Sequence, residues 1–134
     1  MRFLLDVNAL VAFGVFEHDF HERVAGSVHG LEESGVPELA TCSITELGFV
    51  RVVSQVPGYA FTVSEARILL LQLKSGNTPN FKFLRDDQDI SHLPNWVNAA
   101  GQTTDGHLLQ LAKANGLVFA TLDTKIPGAF LIRA

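Results

Sequence analysis

Short apolar runs alternating with amphipathic stretches predict an α/β fold, a single domain over residues 1–134 with a parallel sheet covered by helices on both faces. Three observations carry this reading. Strand-like and helix-like segments alternate along most of the chain. At 134 residues and 47% hydrophobic content there is material for one substantial core. Turn-forming residues punctuate the pattern, with no internal repeat, low-complexity tract or linker.

Phe3 to Leu5 read as a short buried strand, and Asn8 as the N-cap of a helix from Ala9 to Phe16. A second helix fits from Asp19 to about Glu33, with Phe20, Val24, Val28 and Leu31 on one face and a stop at Ser34-Gly35. Glu38 to Cys42 is the second strand. Ser43 then caps a helix from Ile44 to about Gln55, whose apolar positions Ile44, Leu47, Val50 and Val53 follow helical spacing. After a Pro57-Gly58 turn, Thr62 or Ser64 opens a helix that turns Ala66, Leu69, Leu70 and Leu73 inward, and the chain breaks from Gly76 to Pro79. Phe81 to Leu84 is a third strand. Arg85 to Gly101 reads mostly as loop or short helix. Thr103 or Thr104 caps a helix that runs to about Asn115 and ends at Gly116, where the left-handed backbone favours glycine. Leu117 to Thr121 and Ala129 to Ile132 are the last two strands.

The composition narrows the function. Charged residues make up 18% of the chain, too few for a disordered segment, and the net charge of −4 leaves no global basic footprint for nucleic acid. Any nucleic-acid chemistry must rest on a local site. The single cysteine, Cys42, has no internal disulfide partner and suits a reducing compartment. An acid at position 6 comes early for a signal peptide, and no apolar run approaches the roughly 18 residues of a membrane span. A cytoplasmic location, away from membranes, is the expectation.

Four carboxylates stand out. Asp6 follows the first strand directly, and Asp123 follows the fourth by two residues. Glu46 and Asp105 lie in the first turns of helices. Each has an ordinary explanation. Asp6 marks a strand-to-helix turn, Glu46 stands three residues after Ser43 at capping-box spacing, Asp105 complements a helix dipole, and Asp123 suits a turn. If they converge within about 4–6 Å they raise one another's pKa, and a hard divalent cation such as Mg²⁺ or Mn²⁺ is the natural remedy. Asn8 adds a neutral oxygen. Arg51, five residues beyond Glu46, either meets a phosphate at the edge of the site or pairs with an acid.

Other polar groups are less suggestive. His18 and His21 read as a surface pair, Arg85 to Asp89 as a solvated loop, and Cys42 as a buried inert thiol. His107, two residues after Asp105, points elsewhere on its helix, and Trp96 suits packing better than base stacking. The phosphate-binding and nucleophile-elbow glycine motifs are absent.

Four segments in order, Leu4 to Ala12, Thr41 to Val52, Thr103 to Gly116 and Phe119 to Ile126, resemble the PIN domain family, specifically the VapC-type ribonuclease toxins of bacterial toxin–antitoxin pairs. The resemblance implies a three-layer α/β/α sandwich with a five-stranded parallel sheet ordered 3-2-1-4-5. It maps the family's acidic cluster, catalytic and metal-binding, onto Asp6, Glu46, Asp105 and Asp123, with Asn8 and Thr121 at matching polar positions; Arg51 and Thr104 are further supporting candidates. It implies Mg²⁺ or Mn²⁺ as cofactor, RNA (tRNA or rRNA) as substrate, a cognate antitoxin as partner and a homodimer as assembly. Gly106-His107 departs from the family's more usual small-then-aromatic pair. The chain ends right after its last strand, so no further extension is expected to add substrate contacts.

The expected reaction is metal-assisted hydrolysis of a phosphodiester, with Asp6 and Asp105 in direct contact with the ion. Two rivals differ in kind. A phosphatase of the haloacid dehalogenase type would need a second Asp where Asn8 stands, and Lys125 is its nearest lysine. A non-catalytic PIN-like binding module would keep the acids only to hold structure or a partner.

Overall fold

The computed structural model describes residues 2–32, 35, 38–76 and 79–133. Five parallel strands, β1 (Arg2–Leu5), β2 (Glu38–Cys42), β3 (Asn80–Leu84), β4 (Val118–Thr121) and β5 (Phe130–Leu131), form one sheet in the order β3-β2-β1-β4-β5. Period-2 alternation sorts the strand side chains between two cores. Phe3, Leu5, Leu39 and Ala120 enter an apolar cluster with Leu10, Val24, Phe49, Val53 and Leu70. Those last residues come from α1 (Val7–Gly14), α2 (His21–Glu32), α3 (Ser43–Gln55) and α4 (Val63–Ser75). Leu4, Ala40, Cys42 and Phe119 point the other way, to Leu108, Leu111 and Ala112 of α5 (Thr103–Ala114). The result is the three-layer sandwich that the alternation predicts.

Helix starts gather at one edge of this sheet. α1 and α3 follow β1 and β2 with almost no loop, so both begin at the carboxyl end of the strands. α5 runs back to the start of β4, through a left-handed Gly116 at φ 71°, so its first turn also lies at that edge. The pairing Leu5↔Ala120 brings the residues after β1 level with the end of β4. β1 connects to one side and β4 lies on the other, which is the switch point where open α/β sheets place their functional groups.

The strands and the main helices match the sequence expectation, and Thr62 caps α4 as one of its two expected candidates, its Oγ1 accepting the Glu65 N–H at 3.1 Å, but the other helix starts differ. Asp6, not Asn8, is the N-cap of α1: its Oδ1 accepts the Ala9 N–H at 2.7 Å, and Asn8 is an exposed residue of the first turn. The helix starts two residues earlier than expected and ends at Gly14 rather than Phe16. Ser43 does not cap α3. Cys42 holds that position, and Thr45 Oγ1 accepts the Cys42 N–H at 2.9 Å, so no box links Ser43 to Glu46. Neither Thr103 nor Thr104 caps α5, because the 3-10 turn Ala100–Gln102 runs straight into it. α2 begins at His21 instead of Asp19, leaving Phe20 41% exposed ahead of the helix. The stop expected at Ser34 lies outside the described residues, as does part of the break expected between Gly76 and Pro79.

Helices α1 and α3 touch closely at a glycine. A Cβ on Gly48 would stand 2.6 Å from Val7 Cγ2, so only glycine lets the two helices that flank Asp6 and Glu46 approach this far. No helix among the described residues is long and apolar enough to cross a membrane.

Candidate functional site

The carboxyl edge of β1 and β4 carries the site. Asp6 is 6% exposed, held between the first turn of α1 and the end of β4. Its backbone N–H donates to Ala120 O at 3.0 Å, which extends the β1–β4 pairing by one residue and fixes the carboxylate in place. The Thr121 hydroxyl donates to Asp6 Oδ2, and the Asp123 N–H donates back to Thr121 Oγ1 at 3.0 Å. The whole segment Thr121 to Asp123 is thereby folded against Asp6.

Burial pushes the Asp6 carboxyl up from 3.8 to about 6. The Thr121 and Ala9 hydrogen bonds pull it down, and the charges of Asp105 and Asp123 push it up again. Asp105, in the first turn of α5, is itself raised, by burial first and by the Asp123 charge second. The fold therefore brings three of the four expected acids into one electrostatic group. Asp123 is exposed and its Oδ1 accepts the Lys125 N–H at 2.8 Å, a turn contact that leaves the other oxygen open.

Glu46 has other company. Its Oε2 accepts the Thr41 hydroxyl at 2.6 Å and forms an ion pair with Lys74 Nζ, in the last turn of α4. Lys74 Nζ also lies 5.4 Å from the Phe83 ring centroid. Sequence reasoning missed both partners. Lys74 is 28 residues from Glu46, and no local spacing announces a contact that α3–α4 packing creates. Thr41 had a fainter signal, a hydroxyl at the end of β2 five residues before an acid.

The remaining candidates line the rim. Asn8 and Thr104 are exposed in the first turns of α1 and α5. Arg51 is exposed on α3 and makes no ion pair among the described residues. Arg85 to Asp89 is mostly exposed, as expected, yet the segment after β3 is tied down at several points. Asp86 Oδ2 pairs with His107 Nε2 at 2.5 Å, Gln102 Oε1 accepts the Asn98 and Ala99 N–H groups, and Val97 packs where a Cβ on Gly106 would sit. Trp96 packs against the α5 core. His18 and His21 interact separately, with the Phe20 backbone and with Ala12 O. Beside Glu46 a groove of about 550 Å³ opens between α3 and α4, lined by Leu47, Val50, Val63, Leu71 and Phe83. Leu47, placed on the helical stripe by its spacing, is 69% exposed there.

Among the described residues no three His, Cys, Asp or Glu side chains stand together as a ready metal cage. The donor chemistry nevertheless fits a hard cation. Three carboxylates share one corner, two of them are partly protonation-prone because of burial and mutual repulsion, and a divalent ion removes both penalties.

The chain is 36% identical over 140 residues to Ribonuclease VapC44 of Mycobacterium tuberculosis, spanning 96% of this chain and 94% of that protein. It is 35% identical over 127 residues to Ribonuclease VapC38 of the same organism, spanning 92% and 86%. In structure it resembles a chain of VapBC2 from Rickettsia felis, solved bound to a DNA fragment from their promoter. The TM-score is 0.64 at 15% identity, covering 98% of this chain and 97% of that one. That likeness concerns the fold. No family model matches the sequence.

Proposed function

This chain belongs to the VapC ribonuclease family, and we propose that it is an endoribonuclease, the toxin of a toxin–antitoxin pair, which hydrolyses RNA phosphodiesters at Asp6, Asp105 and Asp123. One observation supports the site above all others: a buried carboxyl at a sheet switch point, with two further aspartate charges bearing on it. The relatives' activity favours this reading over a dehalogenase-type phosphatase or a binding module without catalysis.

Mg²⁺ or Mn²⁺, when bound, supplies Lewis acidity toward the scissile phosphate. The protein's own groups do the rest. The first turn of α1 and the Thr121 hydroxyl hold Asp6 in one orientation and favour its ionised form. With a pKa of about 6, Asp6 is mostly ionised at neutral pH and ready as a ligand. Asp105 approaches from the start of α5, and the turn from Thr121 to Lys125 presents Asp123. Asn8 and Thr104, exposed at the same rim, offer hydrogen bonds to the RNA backbone, and Arg51 is a cation for a flanking phosphate. With a net charge of −4, RNA affinity depends on such local contacts and on the bound ion.

The cognate antitoxin is the expected protein partner. The groove beside Glu46, walled by exposed Leu47, Leu71 and Phe83, suits an apolar segment of it that reaches toward the acids. A homodimer and a cytoplasmic location complete the proposal. The deciding experiment is cleavage of a panel of tRNAs and rRNA fragments with Mg²⁺ or Mn²⁺. Cuts that vanish with EDTA and with Asp6→Asn support the assignment, and cleavage that survives both overturns it.

A further inference from the structure

We propose that Lys74 is the built-in cation for Glu46, so that the site takes a single divalent ion on its three aspartates. This inference rests on the metal-dependent reading above. It concerns how the four acids divide the work.

The acids fall into two sets by what already neutralises them. Among the described residues, no ion pair reaches Asp6, Asp105 or Asp123; Asp6 and Asp123 take only a hydroxyl and backbone N–H groups. Glu46 is different. Its Oε2 takes both the Lys74 ammonium and the Thr41 hydroxyl.

The pair is sheltered, with side chains 22% and 25% exposed for Lys74 and Glu46. Nearness to the Phe83 ring gives the ammonium a second favourable contact. Lys74 is thus held by a carboxylate and lies near a ring face, at the end of a helix whose C-terminal dipole also favours a cation.

A divalent ion that sought Glu46 would meet a positive charge already seated on it. Sharing Oε2 would bring like charges to within one oxygen of each other in a partly desolvated place. Displacing Lys74 would strand a half-buried ammonium without its partner, which is the costly way to break such a pair. Neither obstacle exists at the aspartates, where repulsion invites a cation. Glu46 then keeps the floor of the site in order through Thr41 and Lys74, and does not hold an ion of its own.

The test is calorimetric titration of the full chain with Mn²⁺ alone, without RNA. Wild type is expected to bind one ion per chain. Glu46→Gln, which can still accept from Thr41, is expected to keep that stoichiometry. Lys74→Met keeps an unbranched apolar side chain near Phe83 and removes the charge; it is expected to bind two ions per chain, with circular dichroism confirming its fold. Two ions on wild type, loss of binding in Glu46→Gln, or a folded Lys74→Met that still takes one ion each overturn the assignment to Lys74. No Mn²⁺ binding by any of the three proteins instead overturns the metal reading itself, and this inference with it.

Discussion

The Thr121 hydroxyl donates to the Asp6 carboxylate across the junction of β1 and β4. The residues are 115 positions apart, and the bond ties the first acid of the chain to the segment that carries the last. It also opposes the burial that would otherwise keep Asp6 protonated.

Thr121→Val removes that donor at nearly constant volume. The Asp6 pKa then rises above about 6. Because the ionised form is the active one, the acid limb of the pH–rate profile for RNA cleavage is expected to move to higher pH, with activity at pH 8 largely kept. An unmoved limb would show that Thr121 does not tune Asp6. The stability loss expected at neutral pH is about 1–3 kcal/mol, as for a hydrogen bond to a charged group.

Asp6→Asn separates activity from stability. The folded pKa of about 6 lies above the ordinary 3.8, so the folded chain holds this proton more tightly than the unfolded one. Stability contributed by the protonated form is present below 3.8 and is lost as pH rises through about 6. At about 1.4 kcal/mol per pH unit the full penalty above that window is about 3 kcal/mol. Asparagine caps a helix as well as aspartate does. In EDTA, urea unfolding at pH 8 is expected to find Asp6→Asn more stable than wild type by about 1–3 kcal/mol, converging near pH 4, while cleavage is abolished. A less stable Asp6→Asn at pH 8 would contradict the burial argument.

Metal affinity should follow the same proton. A carboxylate must lose its proton before it binds a cation, so Mn²⁺ affinity is expected to fall below about pH 6 and level off above it. Titrations between pH 5 and 8 read this directly. Affinity independent of pH through that range would remove Asp6 from the ligand set.

Gly48→Ala tests the approach of α1 to α3. The new methyl would meet Val7 Cγ2 at 2.6 Å, in the helix that Asp6 caps. Overpacking of this kind costs about 1–3 kcal/mol. A lower urea midpoint together with reduced kcat is expected, because relief of the clash shifts Val7 and the adjoining Asp6. Wild-type stability would mean that the helices part at no cost.

The layered α/β architecture was readable from sequence because the alternation of strands and helices is a local pattern, whereas the strand order and the grouping of the acids followed only from the resemblance. Strand β2 appears as Glu38–Cys42, the span expected, and Gly116 ends α5 through its left-handed backbone. The caps were misread where several capping residues crowd together. Asp6 and Asn8 both suit the start of α1, and only the placement of the Ala9 N–H decides for Asp6. At α3 Cys42 took the cap position assigned to Ser43, and Thr45 took the third-position role assigned to Glu46. Glu46 was read as one more member of the acidic set, because its pairing with Lys74 arises from helix packing that neither segment reveals alone. The tether between Asp86 and His107 escaped notice for the same reason, spanning 21 residues.

β1 lies in the middle of the sheet, bonded to β2 on one side and β4 on the other, whereas β5 at the margin is two residues long. Deuterium should therefore enter the amides of Phe3 to Asp6 last and those near Phe130 first. The marginal strand pairs with Thr121, so fraying there loosens the outer side of the reactive corner while β1 still holds Asp6 from within.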